Sequence, residues 1–268
     1  MNHSVEQSFN QGNSYSLYNS ALITDFTPDM LTPDYWQIKN AITGTAQGRG
    51  TTWFIRYLTD DNKINEEDDN TQQAQHWVLR HYYRGGLIGK VIKDSYLFNG
   101  IENSRAMREF YLLKQMQKWQ LPAPKPVACS ITRHGLFGLC YRADLLSSRI
   151  ENAQDLVAIL SKESIDDNVW RKIGATIKRF HDHGIYHHDL NSHNILIDER
   201  QDVHLIDFDR GELRQADEMS NAGHWKESNM SRLQRSFLKE LHQLVTFHFT
   251  DDNWQMLLSG YTNKESIS

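Results

Sequence analysis

The chain has 268 residues, of which 39% are hydrophobic and 24% charged, with a formal net charge of −5 at pH 7. The length provides for one or two domains with a sizeable core, and the acidic balance argues against a bulk nucleic-acid binder, which carries a strong basic excess. No apolar run approaches the ~18 residues that span a bilayer. Residues 1–20 lack the apolar stretch of a secretory leader, and two cysteines, Cys129 and Cys140, fit a reducing compartment better than a disulfide framework.

In chain order, residues 1–30 are polar, carry few apolar anchors and end in Thr27-Pro28-Asp29, so a flexible N-terminal segment is expected. The Gly-rich stretch 41–50 leads into Thr51-Thr52-Trp53-Phe54-Ile55, a β-branched and aromatic strand. An acidic, Asn/Gln-rich run from Asp60 to Gln75 reads as a solvated loop before a second strand, His76–Tyr83, which Gly85-Gly86 ends. Residues 104–119 read as a helix with Ala106, Phe110 and Leu113 on one stripe. The prolines of Leu121-Pro122-Ala123-Pro124-Lys125-Pro126 force an extended segment after it, and Gly138–Leu146 reads as a further strand.

From there helices dominate. Asn168–His183 carries Trp170, Ile173, Ile177 and Phe180 on one stripe and stops at Gly184. Two short apolar strands, Ile195–Ile197 and Val203–Ile206, are joined by a polar turn, and the remainder from Trp225 to about Tyr261 is helical, with Trp225, Leu233, Phe237, Leu241 and Leu244 near core spacing. Strands first and helices after give an α+β fold with a sheet-rich lobe over 31–144 and a helical lobe over 145–268.

The segment with chemical content runs from Ile185 to Arg210. It holds His187-x-Asp189-Leu190-x-x-x-Asn194, then two short strands, then Asp207-Phe208-Asp209. This matches the catalytic-loop and metal motifs of phosphoryl transfer, which needs positioning and charge neutralisation above all. Asp189 is the candidate proton acceptor for the attacking hydroxyl. Asn194 and Asp207 are candidate Mg²⁺ ligands, holding the ion against ATP phosphates.

The upstream parts follow from the same chemistry. Gly48 and Gly50 are candidates for a loop covering the nucleotide, since glycine permits close backbone approach to phosphate; the third glycine of the full motif is replaced by Trp53, and no G-K-[ST] exists. A cation on the second strand should contact the α/β-phosphates and pair with a helix carboxylate. Arg80 is favoured over Lys90 for that role. Glu109 is the carboxylate, because it lies on an apolar stripe, an odd place for a solvated charge; a surface pair with Arg105 is its bland alternative. Five histidines between 181 and 193 admit a zinc-site reading, but no H-E-x-x-H is present.

These residues and their neighbours carry a wider resemblance. The stretches are Gly48-Arg49-Gly50 running into TTWF, LRHYYRGGLIGK (79–90), KDSYLF (93–98), LPAPKPVA (121–128), HDLNSHNILID (188–198), LIDFDRGELR (205–214) and WKESNMSRLQRSFLKE (225–240). Together they resemble the 3-deoxy-D-manno-octulosonic acid (Kdo) kinases, a lipopolysaccharide-core kinase family of Gram-negative bacteria with a two-lobed, protein-kinase-like fold. The resemblance covers roughly residues 35–262. It implies ATP- and Mg²⁺-dependent phosphorylation of the 4-hydroxyl of Kdo on a lipid A precursor, Asp189 as proton acceptor, and Asn194 and Asp207 as metal ligands. It also implies a cytoplasmic protein attached peripherally to the anionic inner-membrane surface; the charge balance adds the expectation of no nucleic acid, and no obligate protein partner is inferred. Asp209 replaces the glycine of D-F-G and no A-P-E motif follows, which disfavours a protein substrate.

An anionic acceptor calls for cations near the site. Arg84 and Lys93, with Lys90, follow the second strand and are candidates for acceptor binding, while Arg210, Arg214, Lys226, Arg232, Arg235 and Lys239 enrich the region after Asp209. Two other readings stand beside this one. A kinase of cationic small molecules, such as aminoglycosides or choline-like alcohols, would need an acidic acceptor pocket. A non-catalytic kinase-like binding protein would be expected to have lost Asp189, Asn194 or Asp207.

Overall fold

A computed structural model describes residues 6–48, 50–58, 74–84, 94–214 and 222–262. By internal contacts the chain forms two units, one of Met1–Lys114 with Lys125–Arg149 and one of Gln115–Pro124 with Ile150–Ser268.

The first unit is built on strands β1 (Glu6–Gln11), β2 (Ser14–Asn19), β3 (Ile42–Gln47), β4 (Thr51–Tyr57), β5 (Gln75–His81), β6 (Tyr96–Leu97), β7 (Pro126–His134) and β8 (Cys140–Ser148), with helices α1 (Pro33–Ile38) and α2 (Arg105–Lys118). One antiparallel sheet takes the order β1-β2-β7-β8-β5-β4-β3, and β6 adds to β8. Strand β5 shows why the sequence folds this way. Its alternation sends Trp77 and Leu79, each 1% exposed, into the core and leaves Arg80 on the opposite face. There Trp77 stacks on Tyr57 at 4.2 Å and meets Trp36 edge-on at 5.9 Å, with Ile55, Val127 and Leu146 around them.

Three expectations are corrected in this unit. Residues 6–19 are a hairpin, not a flexible segment: Gly12 turns it at φ 58°, and β2 pairs along β7 with Leu17 opposite Cys129. The physical reason is that β2 is enclosed between β1 and β7, with Ser16, Leu17 and Asn19 closed off although two of the three are polar, a pattern that composition alone hides. Strand β7 itself was masked by the prolines before it. Pro126 stands at its first residue, where a missing N–H is tolerated, and the next five residues are buried without alternation, so both faces of β7 are covered. The expected boundary at Asp144 falls inside β8, which stays paired to β5 as far as Ser148 opposite Trp77.

The second unit holds β9 (Ala153–Asp155), α3 (Leu156–Leu160), α4 (Asp167–Asp182), β10 (Ile185–Tyr186), β11 (Ile195–Asp198), β12 (Val203–Leu205), β13 (Glu212–Leu213), α5 (Ala222–Gln243) and α6 (Asp251–Thr262). Asp166 caps α4 by accepting from the Asn168 N–H at 2.7 Å. The predicted stripe Trp170, Ile173, Ile177 and Phe180 is buried. Helices α4 and α6 touch backbone to backbone: a Cβ on Gly174 would lie 1.9 Å from the Leu257 carbonyl oxygen, and one on Gly260 2.0 Å from that of Arg171. Of the predicted α5 stripe, Trp225, Leu233 and Phe237 are core, but Leu241 is 40% exposed, because the last turn of α5 runs beyond the aromatic cluster of Trp170, Phe237 and Phe249. Among the described residues no helix is long and apolar enough to cross a membrane.

Candidate active site

In the first unit, Arg80 and Glu109 meet. Glu109 points from α2 into the interior, where it is 4% exposed, and the Arg80 Nη2 donates to both its oxygens at 2.5 and 2.6 Å. The Tyr82 hydroxyl donates to Oε2 at 2.6 Å. Burial, and then the negative charge of Glu109, hold the Tyr82 hydroxyl far above its ordinary pKa, so it remains a donor. The odd charge on an apolar stripe is thus a buried carboxylate anchoring a strand cation.

Gly48 and Gly50 sit at the β3–β4 turn, where the Gly48 N–H donates to the Gly50 carbonyl at 3.0 Å. A Cβ on Gly50 would lie 2.0 Å from the Tyr83 ring, so packing alone already requires glycine there. Arg84 lays its guanidinium over Tyr96 at 5.1 Å, and its Nε is buried with no hydrogen-bond partner among the described residues. Lys90 and Lys93 lie outside the described residues.

The second unit assembles the catalytic-loop motif. His187, 2% exposed, donates from Nε2 to the Ile206 carbonyl at 2.9 Å and accepts the Asp189 N–H on Nδ1 at 3.2 Å. That pair of bonds requires the neutral ring with its proton on Nε2, and burial pushes the pKa down to match. Its ring lies 4.7 Å from Phe208, which stacks on Phe180 at 5.6 Å, so the D-F-D segment is packed against the loop. Asn194 donates its Nδ2 to the Asp189 carbonyl at 2.9 Å. The amide is thereby oriented with its oxygen as the end left for a cation. The Ile206 N–H donates to the Asn194 carbonyl at 3.0 Å, which brings Asp207 next to Asn194 along the chain path. Asp207 has φ 61°, a left-handed conformation uncommon for a residue with a side chain.

An amide oxygen and a carboxylate are hard donors, few in number, and suit Mg²⁺, which keeps waters and phosphate oxygens in its remaining positions. The five histidines are dispersed among separate partners. His181 bonds Tyr261 and Asn229, His183 the Arg179 carbonyl, and His193 lies 3.5 Å from Asp155 and Glu240. Among the described residues no group of three or more His, Cys, Asp or Glu could hold a metal.

Helix α5 supplies groups that the motif reading missed. Asn229, fully buried, accepts the His187 N–H at 3.3 Å and donates to the His187 carbonyl at 3.0 Å. Ser236 Oγ takes the Ser192 N–H at 3.0 Å and bonds the Ser192 hydroxyl at 2.7 Å. Between them Arg232 places Nη1 3.7 Å from Asp189 Oδ1. Asn229 had a readable signal: it falls four residues after Trp225 and four before Leu233, a polar side chain on a buried stripe, as Glu109 is on α2.

The geometry is that of a kinase, a phosphotransferase acting on a hydroxyl group, and the comparisons with known proteins specify which kind. A family model described as "Lipopolysaccharide kinase (Kdo/WaaP) family" matches residues 33–261, and the chain belongs to that family. Three relatives are each named 3-deoxy-D-manno-octulosonic acid kinase. One from Photobacterium damsela subsp. piscicida is 42% identical, covering 91% of each chain. One from Vibrio vulnificus (strain YJ016) is 41% identical over 95% of this chain and 97% of the relative. One from Haemophilus influenzae (strain PittEE) is 38% identical over 95% and 99% respectively. A solved structure, WaaP in complex with acyl carrier protein, aligns at TM-score 0.49 and 12% identity over 87% of this chain and 85% of that one, a likeness too slight to argue from.

Proposed function

We propose that this kinase transfers the γ-phosphoryl group of ATP to the 4-hydroxyl of Kdo on a lipid A precursor. Family membership and three relatives bearing the Kdo kinase name support the acceptor. The observation that carries the reading is the sign of the charge beside Asp189. Arg232 lies 3.7 Å from its carboxylate. The adjacent His188 has its protonation disfavoured first by burial and then by both Arg210 and Arg232. A cationic aminoglycoside or choline-like acceptor would be repelled there, whereas Kdo brings a carboxylate and lipid A its phosphates.

In this reading Asp189 accepts the proton of the 4-hydroxyl as its oxygen bonds to the γ-phosphorus and ADP departs. Asn194 and Asp207 hold Mg²⁺, which neutralises charge developing on the phosphate oxygens. Arg80, fixed by Glu109, contacts the nucleotide phosphates, and Gly48 and Gly50 let the β3–β4 turn approach them. Arg84 and Lys93 serve the anionic acceptor. Arg235 and Lys239, exposed on α5, suit peripheral contact with the cytoplasmic face of an anionic inner membrane, at about 1 kcal/mol per well-placed basic residue.

Mass spectrometry after incubation with ATP, Mg²⁺ and a Kdo-bearing lipid A precursor tests the assignment. The acceptor should gain the mass of one phosphate, and fragmentation should locate it on O4. An unchanged mass would remove the acceptor; phosphate on another oxygen would remove the regiochemistry.

A further inference from the structure

The Asp189–Arg232 pair differs from an ordinary ion pair in ways that point to a ligand. Its 3.7 Å separation is beyond hydrogen-bonding range, and both side chains are 40% exposed. The Nε of Arg232 is buried with no hydrogen-bond partner among the described residues. A guanidinium has five N–H donors in a planar fork that matches a carboxylate, and here they are largely unspent. The side chain is nonetheless well placed. Asn229, Arg232 and Ser236 lie on one face of α5 by their spacing. The flanking two are bonded to His187 and Ser192 on either side of Asp189, so Arg232 is carried at a fixed height above the proton acceptor.

We propose that Arg232 receives the C1 carboxylate of the Kdo acceptor and so presents the 4-hydroxyl to Asp189. The chemistry of the sugar supplies the fit. The carboxylate is attached at C2 and the hydroxyl at C4, so one ring carbon separates the two carbons that bear them. An anion-binding fork and a proton acceptor that are near neighbours, yet not bonded to each other, are the complement of that pair. The same arrangement distinguishes Kdo from a neutral hexose, whose hydroxyls would leave the fork unmatched. The inference rests on the Kdo reading above.

The test compares Kdo–lipid A precursor with its C1 methyl ester, using the wild-type protein and Arg232→Gln. For the wild type, kcat/KM should fall about 10–100-fold on esterification, the loss of a charge-assisted hydrogen-bonded contact. For Arg232→Gln the two acceptors should be turned over within about twofold of each other, at the lower rate. Arg232→Lys, which keeps the charge without the fork, should regain part of the discrimination. Thermal melting and ATP-analogue affinity of Arg232→Gln should match the wild type, which separates acceptor reading from a structural role. An ester penalty as large in Arg232→Gln as in the wild type would overturn the assignment while leaving the Kdo reading intact. So would an Arg232 effect that disappears when the lipid phosphates, not the carboxylate, are removed. No phosphate on the Kdo acceptor with wild-type protein would instead overturn both.

Discussion

Two arginine–carboxylate pairs mark the two units, and they are built in opposite ways. Arg80 closes on Glu109 at 2.5 and 2.6 Å, with Glu109 nearly sealed from solvent and its second oxygen shared with Tyr82. Arg232 stands off Asp189 at 3.7 Å with both side chains 40% open. A buried carboxylate must be saturated with donors or its desolvation is not offset, so the first pair is finished as the fold forms. An open pair in water contributes little to stability and is free to exchange its partner for a substrate group. The contrast separates a carboxylate that positions a cation from one left open to solvent.

The sharpest way to break the contrast is Asp189→Ala. Phosphoryl transfer to the Kdo acceptor should fall about 10²–10⁴-fold, with unfolding and nucleotide affinity nearly unchanged; retained turnover would remove Asp189 as the proton acceptor. Glu109→Ala should act first on the fold, and through the loosened Arg80 also weaken nucleotide binding. It leaves Arg80 and the Tyr82 hydroxyl without their acceptor and should destabilise by about 2–4 kcal/mol, less than for a fully buried pair because Arg80 is 24% exposed. Urea unfolding followed by tryptophan fluorescence would show it, and a stability loss under ~1 kcal/mol would mean that the pair is as loose as the other.

A smaller effect comes from the brace beneath the open pair. His181 lies between Asn229 and Tyr261, and burial pushes its pKa down to about 3. The unfolded chain takes up this proton below about pH 6.5 while the folded chain does not, so stability is complete above that pH and declines as pH falls through it. Between pH 6.5 and 5 the decline attributable to His181 should reach at most about 2 kcal/mol. Melting temperature measured across this range should fall less steeply in His181→Gln. An equal slope would show that His181 protonates in the folded protein.

What could be read from the sequence was whatever a local pattern expresses. His187, Asp189, Asn194 and Asp207 stand at spacings imposed by one loop and one hairpin, and the stripe of α4 repeats with the helix. Glu109 was legible as a misfit, a charge where the period demands an apolar residue. Asn229 carried the same kind of misfit, but its partner His187 is 42 residues away, and no local pattern names that partner. The β1–β2 hairpin was illegible because β1 is open along nearly all its length and β2 closes off two polar residues, Ser16 and Asn19, beside one leucine, and β7 because both of its faces are covered, so no alternation marks it. The nearness of Arg232 to Asp189 depends on how α5 crosses the loop, which is a tertiary fact.

The N-terminal hairpin has a bearing on handling the protein. Strand β7 is apolar and closed off where it runs beside β2, while β1, the strand at that border of the sheet, is polar and mostly open to solvent. Removing the first twenty residues would uncover a flat, greasy row of unpaired amides and carbonyls, the kind of border through which chains stick to one another. The dull, hydrophilic β1–β2 hairpin therefore works as a selvedge, and a version trimmed to residue 21 should show its defect first in light scattering and only afterwards in turnover.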